Sequence, residues 1–160
     1  MTLVDNSRLV LPQVVAANYL GDHKAIVKIS KEETYIHLDD VRFIQQYYAD
    51  GCMGKLVIPS LVGYVLMRHC KRSPWSTIYY AGVTRSERGK GYGRRLFDWV
   101  VSQTPHQEIR LGVIEGANEA LQFWKHLGFT PTPKEFTITK GGLKVYQLRL
   151  ELDKRSQYAR

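Results

Sequence analysis

Two cysteines in 160 residues leave little room for disulfide or metal chemistry. Cys52 and Cys70 have neither the paired spacing of a zinc site nor the density of a disulfide framework, so both read as ordinary thiols of a reducing compartment, and no metal is expected. No apolar run approaches the ~20 residues that cross a bilayer. The opening MTLVDNSRLV lacks the basic-then-apolar layout of a secretion signal. Internal repeats, low-complexity tracts and long linkers are also missing. These absences predict a single domain over residues 1–160, cytoplasmic and with no membrane partner. At 44% hydrophobic and 24% charged residues, the chain has enough apolar material to bury a core without staples.

Basic charge is in surplus. The formal net charge is +8, and residues 1–80 carry nine Lys/Arg against seven Asp/Glu while residues 81–160 carry fourteen against eight. Five of these cations crowd between Arg85 and Arg95. Such a patch attracts phosphate, on a nucleic acid or on a small polyanion. The tail LDKRSQYAR reads instead as a solvated basic face.

The first fifty residues carry weak patterns: a helix around Gln13–Tyr19, a short strand at AIVKI (25–29), and a helix over Leu38–Ala49. That last helix would start on Asp39 and Asp40 and stop at Gly51. Three β-branched runs follow, KLVI (55–58), LVGYVLM (61–67) and STIYYAGV (76–83), and read as antiparallel strands. From Gly91 the period changes, with Tyr92, Leu96, Trp99, Val100 and Gln103 sorting onto one helical face. EIRLGVI (108–114) is a strand and Asn118–Leu127 a second helix, stopped by Gly128. Residues 136–150 form a hairpin turning on Lys140-Gly141-Gly142. The order of elements predicts an α/β (α+β) fold with one sheet and helices against it.

RGKGYGRRLF (88–97) holds three glycines and four cations in ten residues. Read as an RNA-binding strand, Lys90-Gly91-Tyr92-Gly93 fits the start of the RRM signature. Arg94 and Arg95, however, occupy positions that need a stacking ring and a buried aliphatic residue. The helix reading is therefore preferred, and a nucleic-acid partner is the least favoured. A helix opening on glycines behind a strand is an anion site, since its first amides lack internal partners and face the positive end of the dipole. The P-loop and dinucleotide fingerprints both fail here: no Gly-Lys-Ser/Thr follows, and Arg94 stands where the third glycine would be.

Two motifs decide the matter. Arg88-Gly89-Lys90-Gly91-Tyr92-Gly93 behind a strand resembles the pyrophosphate loop of the GNAT superfamily of N-acetyltransferases, which bind acetyl-CoA. Asn118-Glu-Ala120-Leu-Gln-Phe123-Trp124-Lys-His-Leu-Gly128-Phe129 resembles that family's second hallmark. The resemblance covers residues 76–150 and, more loosely, the strands from 55. It implies a mixed, mostly antiparallel central sheet with helices on both faces and a splayed strand pair that admits acetyl-CoA. Residues 76–150 would form the cofactor-binding core and residues 1–50 the substrate-side helices.

By the same resemblance, amides of Arg88, Gly89, Lys90, Gly91, Tyr92 and Gly93 would hold the CoA pyrophosphate, with Arg94 near the remaining phosphates. The backbone of Ala81, Gly82 and Val83 would pair with the pantetheine arm, Gly82 tolerating a bulge there. An N–H near Val83 would serve as oxyanion donor. Asn118 would bond the pantetheine or cap its helix. The reaction implied is attack of an amine on the thioester, with acetyl-CoA as co-substrate and a small-molecule or protein amine as acceptor. Trp124 stands where the family usually has a tyrosine acid, and an indole cannot give up a proton. Tyr146, or a tyrosine at 79–80, is an alternative acid. Thr77 and Val113 stand where relatives place a glutamate base, which leaves Glu115 as a candidate beside a water relay. A CoA-binding module with weakened turnover is the competing reading. A homodimer stays open.

Overall fold

The computed structural model describes residues 13–33, 38–69 and 72–153. Seven strands form one sheet in the order β1-β2-β3-β4-β5-β7-β6. In chain order they are β1 (Gln13–Ala16), β2 (Met53–Val57), β3 (Leu61–His69), β4 (Ser76–Val83), β5 (Glu108–Ile114), β6 (Thr130–Ile138) and β7 (Lys144–Glu151). The helices are α1 (Tyr19–Ser30), α2 (Ile44–Ala49), α3 (Tyr92–Gln103) and α4 (Asn118–His126). The β1–β2, β2–β3, β5–β7 and β6–β7 pairs run antiparallel and β4–β5 runs parallel. The sheet is therefore mixed and mostly antiparallel, as expected. Among the described residues no helix is long and apolar enough to cross a membrane.

The chain divides into two compact units, residues up to Leu66 with Tyr80–Gln103, and Met67–Tyr79 with the residues from Thr104. In the first unit, strand alternation sorts two faces. Met53, Tyr64 and Leu66 point into a core shared with Ile26 and Ile29 of α1 and Ile44 and Tyr48 of α2. The intervening Gly54 and Gly63 face α3: a Cβ on Gly54 would lie 2.8 Å from the Trp99 ring, and one on Gly63 would lie 3.3 Å from Leu96 Cδ1. Helices thus cover both faces of this part of the sheet. Leu96, Phe97 and Val100 form the buried stripe of α3. Of the face predicted from the sequence, Leu96 and Val100 are buried, Tyr92 and Trp99 are half-buried and Gln103 is exposed, while Phe97 joins the stripe unpredicted.

Several expectations in the first fifty residues are overturned. Gln13–Ala16 is a strand rather than a helix, because the β-branched pair Val14-Val15 adds to the edge of β2 and its backbone groups are used there. AIVKI lies inside α1. Ile26, Ile29 and Ser30 are its buried residues, so tertiary burial at helical spacing overrides β propensity. Asn18 caps α1 by accepting from the Leu20 amide at 3.0 Å. The helix expected over Leu38–Ala49 is broken. Leu38–Asp40 is a single 3-10 turn, and Phe43 at φ +66° stops propagation, so α2 begins only at Ile44.

In the second unit, β5 and β7 pair along their whole length, from Glu108 opposite Glu151 to Ile114 opposite Val145. The β4–β5 ladder joins Ser76, Thr77 and Ile78 to Ile109, Arg110 and Leu111. The β6–β7 hairpin forms where predicted, but β6 starts earlier, at Thr130, and its register shifts between Pro131 and Phe136 around Glu135 at φ +60°. Pro131 and Pro133, together with that irregularity, suit β6 to the outer edge of a sheet. Cys52 is buried and unbridged, and Cys70 lies outside the described residues.

Candidate functional site

The glycine-rich stretch takes the conformation that its composition demands. Gly89 and Gly91 adopt φ +79° and +83°, a region costly for residues with a Cβ, and they carry the chain from the single turn Arg85–Glu87 into α3. The Arg95 amide reaches back to the Gly91 carbonyl at 3.4 Å. The amides just ahead of it lack a preceding helical turn to bond and stand at the positive end of a twelve-residue helix. A Cβ placed on either glycine would meet nothing within 4 Å, so the mouth of the loop is open. The RNA-strand alternative is excluded at this point, because Tyr92–Gln103 is helical.

The charges around this mouth are ordered unequally. Arg88 is drawn away from it: Nε donates to the Val83 carbonyl at 2.9 Å and Nη2 to Glu33 Oε1 at 2.8 Å. Its amide is taken as well, donating to the Arg85 carbonyl at 3.3 Å, so the expectation that the Arg88 amide joins the anion site is not met and the free amides begin after it. Lys90 bonds Glu87 at 2.8 Å, which raises its pKa above the ordinary lysine value while the chain stays fully exposed. Arg94 is held only loosely, 3.8 Å from Asp98, with both groups exposed. Arg94 is thus held loosely enough to turn toward a phosphate.

Ala81, Gly82 and Val83 belong to the same unit as the loop and end the strand that leads into it. β4 runs five residues beyond its last ladder pair with β5, at Ile78. Packing gives Gly82 a further reason to be glycine. Its φ is not positive, and an added Cβ would sit 2.9 Å from Cε1 of Tyr64, whose ring is fully buried. Tyr80, one pleat earlier, packs against the same core, and burial next to Tyr47 raises its phenol above the ordinary value. Tyr48 is raised further, first by burial and then by the charge of Asp22, and it contacts His23 Nδ1 at 2.8 Å.

Glu115, Asn118, Trp124 and Tyr146 belong to the second unit. Asn118 is the first residue of α4, and the cap position falls to Ala117 with no side-chain capping bond. The capping role is thereby set aside, and the amide side chain is exposed. Trp124 meets Phe123 and Phe129 edge-on, with centroids 4.8 and 5.5 Å apart, so packing accounts for its ring. Glu115 is an exposed loop acid whose amide donates to the Lys144 carbonyl at 2.8 Å. Tyr146 lies opposite Val113 on β5 and is half-buried, with Lys144 Nζ 5.3 Å from its ring centroid. Thr77 and Val113 occupy ladder positions on β4 and β5, and neither can serve as a base. Among the described residues no cluster of His, Cys, Asp and Glu is placed to hold a metal ion.

Sequence reasoning missed Glu32, Glu33 and Thr84. Glu32 Oε1 accepts from the Thr84 hydroxyl at 2.7 Å and Oε2 from the Arg85 amide at 2.9 Å. Its own carbonyl accepts from Arg85 Nη2 at 2.7 Å. KEE at the end of an unreadable segment looks like a solvated charge run, and nothing in its spacing reveals a partner fifty residues away.

The sequence profile of the acetyltransferase (GNAT) family matches residues 21–129. The chain is 26% identical over 115 residues to a "5-NmdU N-acetyltransferase" of Pseudomonas phage PaMx11, covering 68% of this chain and 81% of that protein. Ard1 from Thermoplasma volcanium superposes with a TM-score of 0.75 at 18% identity, over 89% of this chain and 99% of its own. An acetyltransferase of the GNAT family from Bacillus cereus ATCC 10987 gives 0.73 at 16% identity, over 89% and 98%. The profile match takes in most of α1 and all of the glycine loop, α3 and α4, and on that match the chain belongs to the GNAT family of acetyltransferases.

Proposed function

We propose that this chain is an acetyl-CoA-dependent N-acetyltransferase that moves the acetyl group to a primary amine by direct attack on the thioester. The observation that carries the reading is the loop itself. Two glycines at positive φ open a twelve-residue helix directly behind the strand Ser76–Val83, within the region matched by the family. Of the amides expected there, from Arg88 to Gly93, those of Gly89 to Gly93 hold the pyrophosphate, since that of Arg88 is bonded to Arg85, and Arg94 lies close to the remaining phosphates. The Ala81–Val83 backbone pairs with the pantetheine arm, and an N–H near Val83 faces the developing oxyanion, a contribution of order 10²–10³ in rate.

The neutral amine nitrogen bonds the thioester carbon, the C–S bond breaks, and CoA leaves as thiolate. The amine proton passes to water or to a base. With a leaving thiol of pKa near 8.5, little help from an acid is needed, which suits a packed tryptophan at position 124. The acceptor is an amine of a small molecule or a protein. The phage relative's name adds 5-NmdU to the candidates worth assaying.

A catalytically weakened CoA-binding module is the second reading, favoured by Thr77, Val113 and Trp124. One experiment separates the two: acetyl-CoA consumption over an amine panel that includes 5-NmdU, set beside thermal stabilisation by CoA. Ligand at 100 Kd should stabilise by about 2.7 kcal/mol. Stabilisation with turnover is expected, stabilisation without it supports the weakened module, and neither would overturn both.

A further inference from the structure

Carboxylates just past the C-terminus of a helix face the negative end of its dipole, where acids are disfavoured. Glu32 and Glu33 nevertheless stand there, two and three residues beyond Ser30, with their amides on the Ile29 and Ser30 carbonyls at 3.1 and 3.2 Å. Their side chains are only about a quarter exposed, 27% and 29%. What compensates them is the segment between the candidate pantetheine strand and the glycine loop. Glu32 takes the Thr84 hydroxyl and the Arg85 amide on separate oxygens, while Glu33 takes Arg88. Arg88 in turn ties back to the Val83 carbonyl, and the Thr84 amide anchors to Val62 of β3 at 2.8 Å. Every one of these bonds falls on Val83, Thr84, Arg85 or Arg88, immediately before Gly89.

We infer that Glu32 and Glu33 are positioning residues for the CoA-binding loop, clasping Val83–Arg88 so that the amides after Gly89 converge on the pyrophosphate before it arrives. The clasp does two things. It removes from the ligand the entropic cost of ordering a loop whose two glycines confer wide backbone freedom. It also turns the Arg88 guanidinium toward Glu33, so the pyrophosphate is met at the loop by backbone N–H groups and not by the Arg88 cation. Because both acids follow α1, the substrate-side helix of unit one is mechanically tied to the donor loop.

This inference rests on the reading of residues 88–93 as the CoA site, and the test keeps the two apart. CoA affinity is measured by titration calorimetry well below the melting temperature, alongside the melting temperature itself and the KM and kcat for acetyl-CoA. Measurable affinity of the wild-type protein upholds the site; its absence would sink the site reading and this inference with it. With the site upheld, Glu32→Ala is expected to raise the CoA Kd about ten- to a hundredfold, as fits the loss of two hydrogen bonds to a charged acceptor. Glu32→Gln keeps the shape and one acceptor oxygen and should fall between that value and wild type. It serves as the readout if the alanine variant does not fold. KM for acetyl-CoA should rise with Kd. Lys31→Ala, which removes a neighbouring exposed cation paired with Asp39, should leave CoA affinity unchanged. A lower melting temperature with wild-type Kd in both Glu32 variants would mean a merely structural clasp and overturn the proposal. Tighter CoA binding by Glu32→Gln would also overturn it, by showing the carboxylate to act as an electrostatic brake.

Discussion

Gly91→Ala separates backbone conformation from bulk. Gly91 sits at φ +83° and Gly142, in the β6–β7 turn, at +81°, and a Cβ on either would meet nothing within 4 Å. The two substitutions therefore impose the same local strain, roughly 1–2 kcal/mol for a residue forced into the left-handed region. They differ in what depends on the angle. At Gly142 the strain only loosens a turn whose ends are pinned by β6 and β7 pairing. At Gly91 nothing packs against the new methyl to hold it, so the free loop relaxes toward negative φ and its amides diverge. CoA must then restore the strained form. At 1.4 kcal/mol per tenfold, the Kd should rise about five- to thirtyfold. Calorimetric titration with CoA and denaturant midpoints, measured on both variants, provide the test. The full stability loss is expected in Gly142→Ala and a smaller one in Gly91→Ala, with weakened CoA binding in Gly91→Ala alone. Unchanged Kd in both variants, or equal weakening in both, would refute the argument that these amides grip the ligand.

Gly82→Ala should destabilise the protein by about 1–3 kcal/mol, since its Cβ would press 2.9 Å from the buried Tyr64 ring; a wild-type denaturation midpoint would show that β4 shifts freely. His23 has its pKa lowered below 6.5 by burial, partly offset by the charge of Asp39. The folded protein thus binds the proton less well than the unfolded chain. The associated stability is fully present above pH 6.5 and declines as pH falls through that value toward the folded pKa. His23→Gln should flatten the melting temperature between pH 7 and 5, and an unaltered slope would assign the dependence to other groups. Trp124→Tyr supplies a phenol at the position where the family usually keeps one. A rise in kcat on a slow amine is expected if proton supply to the thiolate limits turnover, whereas unchanged kcat would place the limiting step elsewhere.

Legibility in the sequence followed the locality of the physics. β4 and β5 match their predicted bounds, and α3 and α4 begin where the apolar period changes, because strand alternation, helical spacing and Gly128 as a stop are written within a dozen residues. The glycine loop was legible for the same reason, as positive φ strongly favours glycine and a cluster of glycines marks it locally. The first fifty residues were opaque. Val14-Val15 pairs with β2 forty residues on, AIVKI is drawn into a helix by burial, and Phe43 breaks a helix by adopting an angle that its sequence does not announce. The Glu32–Thr84 and Glu33–Arg88 contacts span fifty-two and fifty-five residues and leave no periodic trace. At Gly82 the sequence suggested tolerance of a bulge, whereas the packing constraint from Tyr64 beneath it is visible only in the structure.

The most direct measurement is a crystal structure of the protein grown with acetyl-CoA. Pyrophosphate oxygens should lie at hydrogen-bond distance, about 3 Å, from amides between Gly89 and Arg94, with the pantetheine running along Ala81–Val83. Phosphates seated on side chains away from this loop, with those amides facing water, would contradict it.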